Sequence, residues 1–213
     1  IAGLGFEKLV YGGLTKVFAG IVIAPIGGLI VGLLLTGLII TVFANRKPAP
    51  VNKTFGRLQI ISSAWFALTH GANDGQKTMG IIALILFSAG MIPELDIPVW
   101  VIFAAAAAMG LGTFFGGYKV IKTLGVKITR LKPYQGFAAE TGGGIMLAAF
   151  AVLGIPASTT HAITGTIMGS GAARRKRAVR WNVSRQIVFS WIITIPGAAG
   201  MGIGFTYLIH LFV

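Results

Sequence analysis

His70-Gly71-Ala72-Asn73-Asp74-Gly75-Gln76-Lys77-Thr78 stands in the middle of an otherwise apolar run, residues 58–90. A carboxylate and an ammonium are costly at membrane depth, so residues of this kind face a protein-lined cavity and mark a site. Each apolar flank is about 13 residues, too short to cross a hydrocarbon core of about 30 Å alone. Gly71 and Gly75 lower helix propensity there. The stretch therefore predicts a broken span whose helix restarts near Gly75.

The pattern extends in both directions. Residues 17–44 carry no charge and are long enough to span a bilayer. The loop after them, with Arg46, Lys47, Lys53 and Arg57, is assigned to the inside by its positive charge. Residues 91–97 hold Glu94 and Asp96 without a cation and read as an outer loop. An alanine-rich span, 98–117, returns the chain to a basic loop with Lys119, Lys122, Lys127, Arg130 and Lys132. Residues 134–173 form a second interrupted stretch, with Glu140 and a triple glycine early and Gly154-Ile155-Pro156-Ala157-Ser158-Thr159-Thr160-His161 later. Pro156 removes a backbone donor and disfavours helix at Ile155, which predicts a break and a helix restarting near Thr160. Arg174-Arg175-Lys176-Arg177 places both ends of this stretch inside, as a re-entrant hairpin or two short spans. The last segment, 181–213, contains Pro196 and exits outside, kinked. Lys8 and Lys16 then lie outside, against three basic inner loops.

Composition agrees. Hydrophobic residues make up 55%, charged residues 11%, and mean hydropathy is +0.84, a balance that excludes an ordinary soluble domain. The 31 glycines fit close helix packing in lipid. With no cysteine, disulfides, thiolate zinc sites and a cysteine nucleophile are excluded. The net charge of +13 sits in short clusters between apolar runs, which reads as topology and not as a nucleic-acid surface. The fold expectation is all-α: a polytopic transmembrane bundle with broken or re-entrant helices. Ile1 and the lack of a leader pattern read as a fragment.

The chemistry follows from the breaks. A local Asp74–Lys77 pair could tie helix pieces together, but leaves Asn73, Gln76 and Thr78 unexplained. The hydroxyls of Ser158, Thr159 and Thr160 suit a helix start, whose free N–H groups and positive dipole end attract an anion. Two such starts meeting at the midplane would hold an oxyanion, as in secondary transporters. Asp74 and Glu140 would repel it unless a cation is bound, which argues for symport with Na⁺ or H⁺. Oxygen ligands for a hard cation come from Asp74, Asn73, Glu140, Ser158 and Thr159. His70 and His161 read as hydrogen-bonded helix-end histidines. The competing readings are an anion channel and an integral membrane hydrolase using Ser158 and His161.

His-Gly-Ala-Asn-Asp at 70–74, Pro-Ala-Ser-Thr-Thr-His at 156–161 and Gln-Gly-Phe-Ala-Ala-Glu ending at Glu140 resemble the signatures of the PiT family of inorganic phosphate transporters. The resemblance implies an inverted-repeat fold with each motif present twice. This chain carries each once, so residues 1–57 are expected to be a connecting segment, 58–213 the second repeat, and the first repeat to lie elsewhere. It also implies that Asn73, Asp74, Ser158, Thr159 and Thr160 help form the phosphate and cation sites, with Glu140 in cation coupling. Gly75-Gln76-Lys77 departs from the continuation of many members and resembles the bacterial branch. Lys77 and Thr78 join the expected phosphate contacts, Lys77 either touching phosphate or balancing Asp74. The expected setting is the plasma (inner) membrane of a prokaryote, with no cofactor beyond co-transported Na⁺ or H⁺, the complementary half as partner, and a homodimer.

Overall fold

The structure, a computed structural model, describes residues 11–211. It is all-α among those residues: α1 (Tyr11–Val42), α2 (Pro48–Ser88), α3 (Val99–Lys122), α4 (Pro133–Val152), α5 (Thr159–Ala172) and α6 (Trp181–His210). A π-helical turn (Thr123–Ile128) follows α3, and a 3₁₀ turn (Lys176–Ala178) precedes α6. Among the described residues, three helical stretches are long and apolar enough to cross a membrane: Tyr11–Val42, Val99–Ile128 and Trp181–Ile209. Lys8 lies outside the described residues, and Lys16 sits exposed on α1.

The expected break at 70–78 does not form. α2 runs unbroken for 41 residues, about 60 Å at 1.5 Å per residue. Each glycine costs only about 1 kcal/mol in a helix interior, whereas ending a helix at membrane depth strands backbone groups at several kcal/mol apiece. Continuity therefore wins. α2 also begins at Pro48, so Lys53 and Arg57 ride on helix instead of loop, and the boundary expected between residues 57 and 58 falls inside it. Likewise α6 continues as helix through Pro196.

The second break does form. α4 ends at Val152, and Gly154 takes φ +60, where a side chain would be strained. The Ile155 N–H bonds Phe150 O at 2.9 Å and the Gly154 N–H bonds Ala151 O at 3.2 Å, which is a Schellman cap. α2 stops the same way at Gly90, φ +69, with Met91 N–H on Leu86 O. Pro156 then keeps the chain extended until Ser158 caps α5 by accepting the His161 N–H at 3.4 Å.

Glycine sets how closely these pieces pack. On α1, Gly20, Ala24, Gly28, Gly32 and Thr36 recur every fourth residue and are buried. They lie along α5 in parallel: Gly20 against Pro156, Gly28 against Ala162, Gly32 against Thr166, with the Ser170 hydroxyl donating to Gly32 O at 3.3 Å. Gly165 and Gly169 of α5 answer from the other side, where a Cβ would strike the carbonyls of Pro25 and Leu29. This is small-residue packing of backbone on backbone. The triple glycine of α4 serves three neighbours at once: Gly142 faces Val31, Gly143 faces Phe66 and Gly144 faces Trp65. α4 is thereby wedged between α1, α2 and α5. Ala24, Leu147, Phe150, Ala157 and Ala162 form the apolar core at the break.

Candidate functional site

The unbroken α2 crosses the α4–α5 break, and residues 70–78 meet residues 156–161 there. Thr159 Oγ1 donates to Asp74 Oδ2 at 3.0 Å. Lys77 Nζ donates to Asp74 Oδ1 at 2.9 Å and to the Ala157 carbonyl at 2.8 Å. His70 Nδ1 lies 3.8 Å from Asp74 Oδ2. One carboxylate, one ammonium and one hydroxyl thus close a ring between α2 and the start of α5. The Lys77 pair is present, and it ties α2 to the next element as well as balancing Asp74. Its side chain is 43% exposed and that of Asp74 30% exposed, so the ring is open on one face.

The other expected residues divide. Ser158 spends its hydroxyl on the cap, and Thr159 is buried with its hydroxyl on Asp74. Thr160 is exposed beside them. In the first turn of α5 the cap satisfies only the His161 N–H, which leaves the N–H groups of Thr159 and Thr160 as donors at the positive end of the helix. Asn73 is buried and turns away: its Nδ2 donates to Thr69 O at 3.1 Å and to Leu147 O at 3.3 Å, stitching α2 to α4. Thr78 is exposed and bonds back to Asp74 O at 3.4 Å. Because α2 does not restart near Gly75, the expected pair of opposing helix starts is reduced to one within this chain, that of α5.

Glu140 is not part of this ring. It accepts from Ser62 Oγ at 2.6 Å, Ser63 Oγ at 3.1 Å and Gln59 Nε2 at 3.2 Å. From Ser62 to Asp74 the α2 axis advances about 18 Å. One cation site built from Asp74, Asn73, Ser158 and Glu140 together is therefore not formed, and the two carboxylates define separate loci. No cluster of three metal-binding acids, histidines or cysteines occurs among the described residues. Gln59, Ser62 and Ser63 were missed by reading the sequence around the motifs. Their i, i+3, i+4 spacing in an apolar run puts them on one helix face and was the available signal.

The histidines depart from the expected hydrogen-bonded helix ends: His70 lies inside the unbroken α2, and its Nδ1 is buried without a hydrogen-bond partner among the described residues. His161 is buried, its Nδ1 has no hydrogen-bond partner among them either, and its ring packs on Trp191 with ring centroids 3.8 Å apart. His70 packs on Phe66 with centroids 5.8 Å apart.

A family model described as the phosphate transporter family matches residues 1–202. The chain belongs to the phosphate transporter family. It is 50% identical over 200 residues to a probable low-affinity inorganic phosphate transporter of Rhizobium meliloti (strain 1021), covering 93% of this chain and 60% of that one. It is 39% identical over 203 residues to a protein of the same description in Bacillus subtilis (strain 168), covering 95% and 61%. The chain thus spans about three fifths of the length of these curated relatives. A solved structure described as "The sodium-dependent phosphate transporter" superposes with a TM-score of 0.84 at 23% identity, over all of this chain and 70% of that one, which shows the shared fold. The resemblance read from residues 70–74 and 156–161 was to this family. A transport family is not an enzyme family, and Ser158 with His161 is a helix cap and its donor, not a nucleophile and base. The apolar helices belong in a membrane.

Proposed function

We propose that this chain forms one side of a secondary transporter that moves inorganic phosphate with a cation by alternating access. The observation that carries the reading is the ring at the α4–α5 break, where Asp74 meets the start of α5 through Thr159 and Lys77. Phosphate binds against the Thr159 and Thr160 N–H groups with Ser158, Thr159 and Thr160 hydroxyls around it, and Lys77 and Thr78 at the margin, while Asn73 holds α2 against α4 behind them. Phosphate competes with Asp74 for Lys77 and Thr159, so binding frees the carboxylate to take a cation. Glu140, with Gln59, Ser62 and Ser63, offers a second oxygen cage about 18 Å away along α2, suited to Na⁺ or to a proton. The sodium dependence in the structural neighbour's description favours Na⁺. The open face of the ring is completed by the complementary repeat of the longer protein; the second repeat takes in all of α2 and so starts at Pro48, with α1 as the segment leading into it. The setting is a bacterial plasma membrane, and the assembly a homodimer.

The test is phosphate uptake by the full-length protein in proteoliposomes under imposed Na⁺ or pH gradients. One gradient is expected to drive accumulation. Uptake indifferent to both, or currents far above carrier turnover, would refute symport, the second outcome in favour of a channel.

A further inference from the structure

At the ends of α4 and α5 remote from the break, the ends of α1 and α5 and the starts of α2 and α4 enclose a cleft of about 220 Å³. Arg46, Lys132 and Arg174 line it, each from a different loop. Among the described residues, ion pairs form only at Asp74, so none of the three cations has a carboxylate partner. The helix starts add to the charge. α2 and α4 have Lys47 and Lys132 as N-caps and no acid in the first turn. A helix start carries positive partial charge and is stabilised by anions, so a lysine there reinforces the potential that an N-cap usually offsets. Nothing within the described protein supplies the balancing charge.

Ile39, Ile40, Phe43 and Val51 give the cleft an apolar wall, and Tyr134 adds an aromatic ring with a hydroxyl. Asn52 also lines the cleft, and its Oδ1 is buried without a hydrogen-bond partner. We propose that this cleft binds an anionic phospholipid headgroup of the phosphatidylglycerol type. The phosphate oxyanion lies among Arg46, Lys132 and Arg174, a headgroup hydroxyl donates to Asn52, and the glycerol and first acyl carbons cover the apolar wall. Inorganic phosphate shares the oxyanion but has nothing to lay against that apolar wall. The volume is below the roughly 300–1,000 Å³ of whole-ligand pockets, which suits a headgroup whose chains stay in the bilayer. Basic pockets between helices at the positive end of a membrane protein are the usual place for such lipids. The inference stands apart from the transport reading, since it uses none of the residues at Asp74 or Glu140.

The experiment is native mass spectrometry of the detergent-purified full-length protein with added phosphatidylglycerol or phosphatidylcholine. Phosphatidylglycerol adducts are expected to persist, to weaken about fivefold for each cation removed in Lys132→Gln and Arg174→Gln, and to be retained in Arg174→Lys. Lys53→Gln, exposed on α2 outside the cleft, leaves them unchanged. If the neutral variants fail to fold, Val51→Glu serves instead: an acid in the first turn of α2 favours the helix while opposing an anion in the cleft, and adducts are expected to be lost. Equal retention of phosphatidylcholine, wild-type retention in the Lys132→Gln/Arg174→Gln pair or in Val51→Glu, or displacement by millimolar inorganic phosphate would overturn the assignment.

Discussion

Replacing Gly28 by alanine tests whether the α1–α5 seam holds the break in place. A Cβ at Gly28 would lie 2.6 Å from Ala162 O and 3.2 Å from Thr166 N, both backbone atoms that no rotamer can move. An ordinary carbon–oxygen contact is about 3.3 Å or more, so the two helices must part by about 0.7 Å. Overpacking of that kind costs about 1–3 kcal/mol. Alanine also gains up to about 1 kcal/mol of helix propensity over glycine, which would hide part of the cost. Gly37→Ala supplies the control: it lies on the same helix with nothing within 4 Å, so it shares the gain without the clash. The difference between the two variants isolates the seam at about 1–3 kcal/mol. Thermal unfolding of the full-length protein in detergent, followed by tryptophan fluorescence, is expected to show Gly28→Ala melting several degrees below Gly37→Ala. Equal melting would mean that α1 and α5 do not touch backbone to backbone, and the geometry at Thr159 would lose its support.

Asp74→Asn is expected to abolish cation-coupled uptake while the protein still inserts and purifies; near-normal coupled transport in proteoliposomes would remove Asp74 from the mechanism. Ser62→Ala deletes the shortest bond to Glu140, at 2.6 Å, and should raise the cation concentration for half-maximal uptake about tenfold, the scale of a charged hydrogen bond; an unchanged cation dependence would confine the Glu140 cage to structure. Gly154→Ala forces a side chain into φ +60 and is expected to lower stability by about 1–2 kcal/mol, whereas Gly80→Ala, with open space around it in α2, should not; similar melting of the two would contradict the cap at Gly154.

The two interruptions show what the sequence could and could not convey. At 153–158 the signals are local: Gly154 can adopt the left-handed conformation, Pro156 cannot continue a helix, and Ser158 can cap one, so the break was legible. At 70–78 the glycines suggested the same outcome, but their cost is small beside that of stranding backbone groups in lipid, and α2 stays whole. The meeting of Asp74 with Thr159 followed the grouping of the two motifs, although the bond between them depends on how α2 crosses the break. Glu140 was visible as a costly charge, yet its partners lie some 80 residues away in the chain, on α2. The close approach of α2 and α4 brings them within reach, with Gly136 lying against Gln59 and Gly143 and Gly144 against Phe66 and Trp65. The glycine count indicated packing; which backbone each glycine admits could be seen only in three dimensions.

The uninterrupted course of α2 makes it a rigid shaft keyed to both carboxylates. Ser62 grips one near its middle, and Asp74 projects about three turns further on. Neither end can swivel alone, so a cargo ion arriving at the first would be registered at the second as rotation or thrust of the same rod. One extra residue inserted after Ala67 would turn everything beyond it by about 100°, leaving the Glu140 cage intact while unlatching Asp74 from Thr159 and so declutching the two.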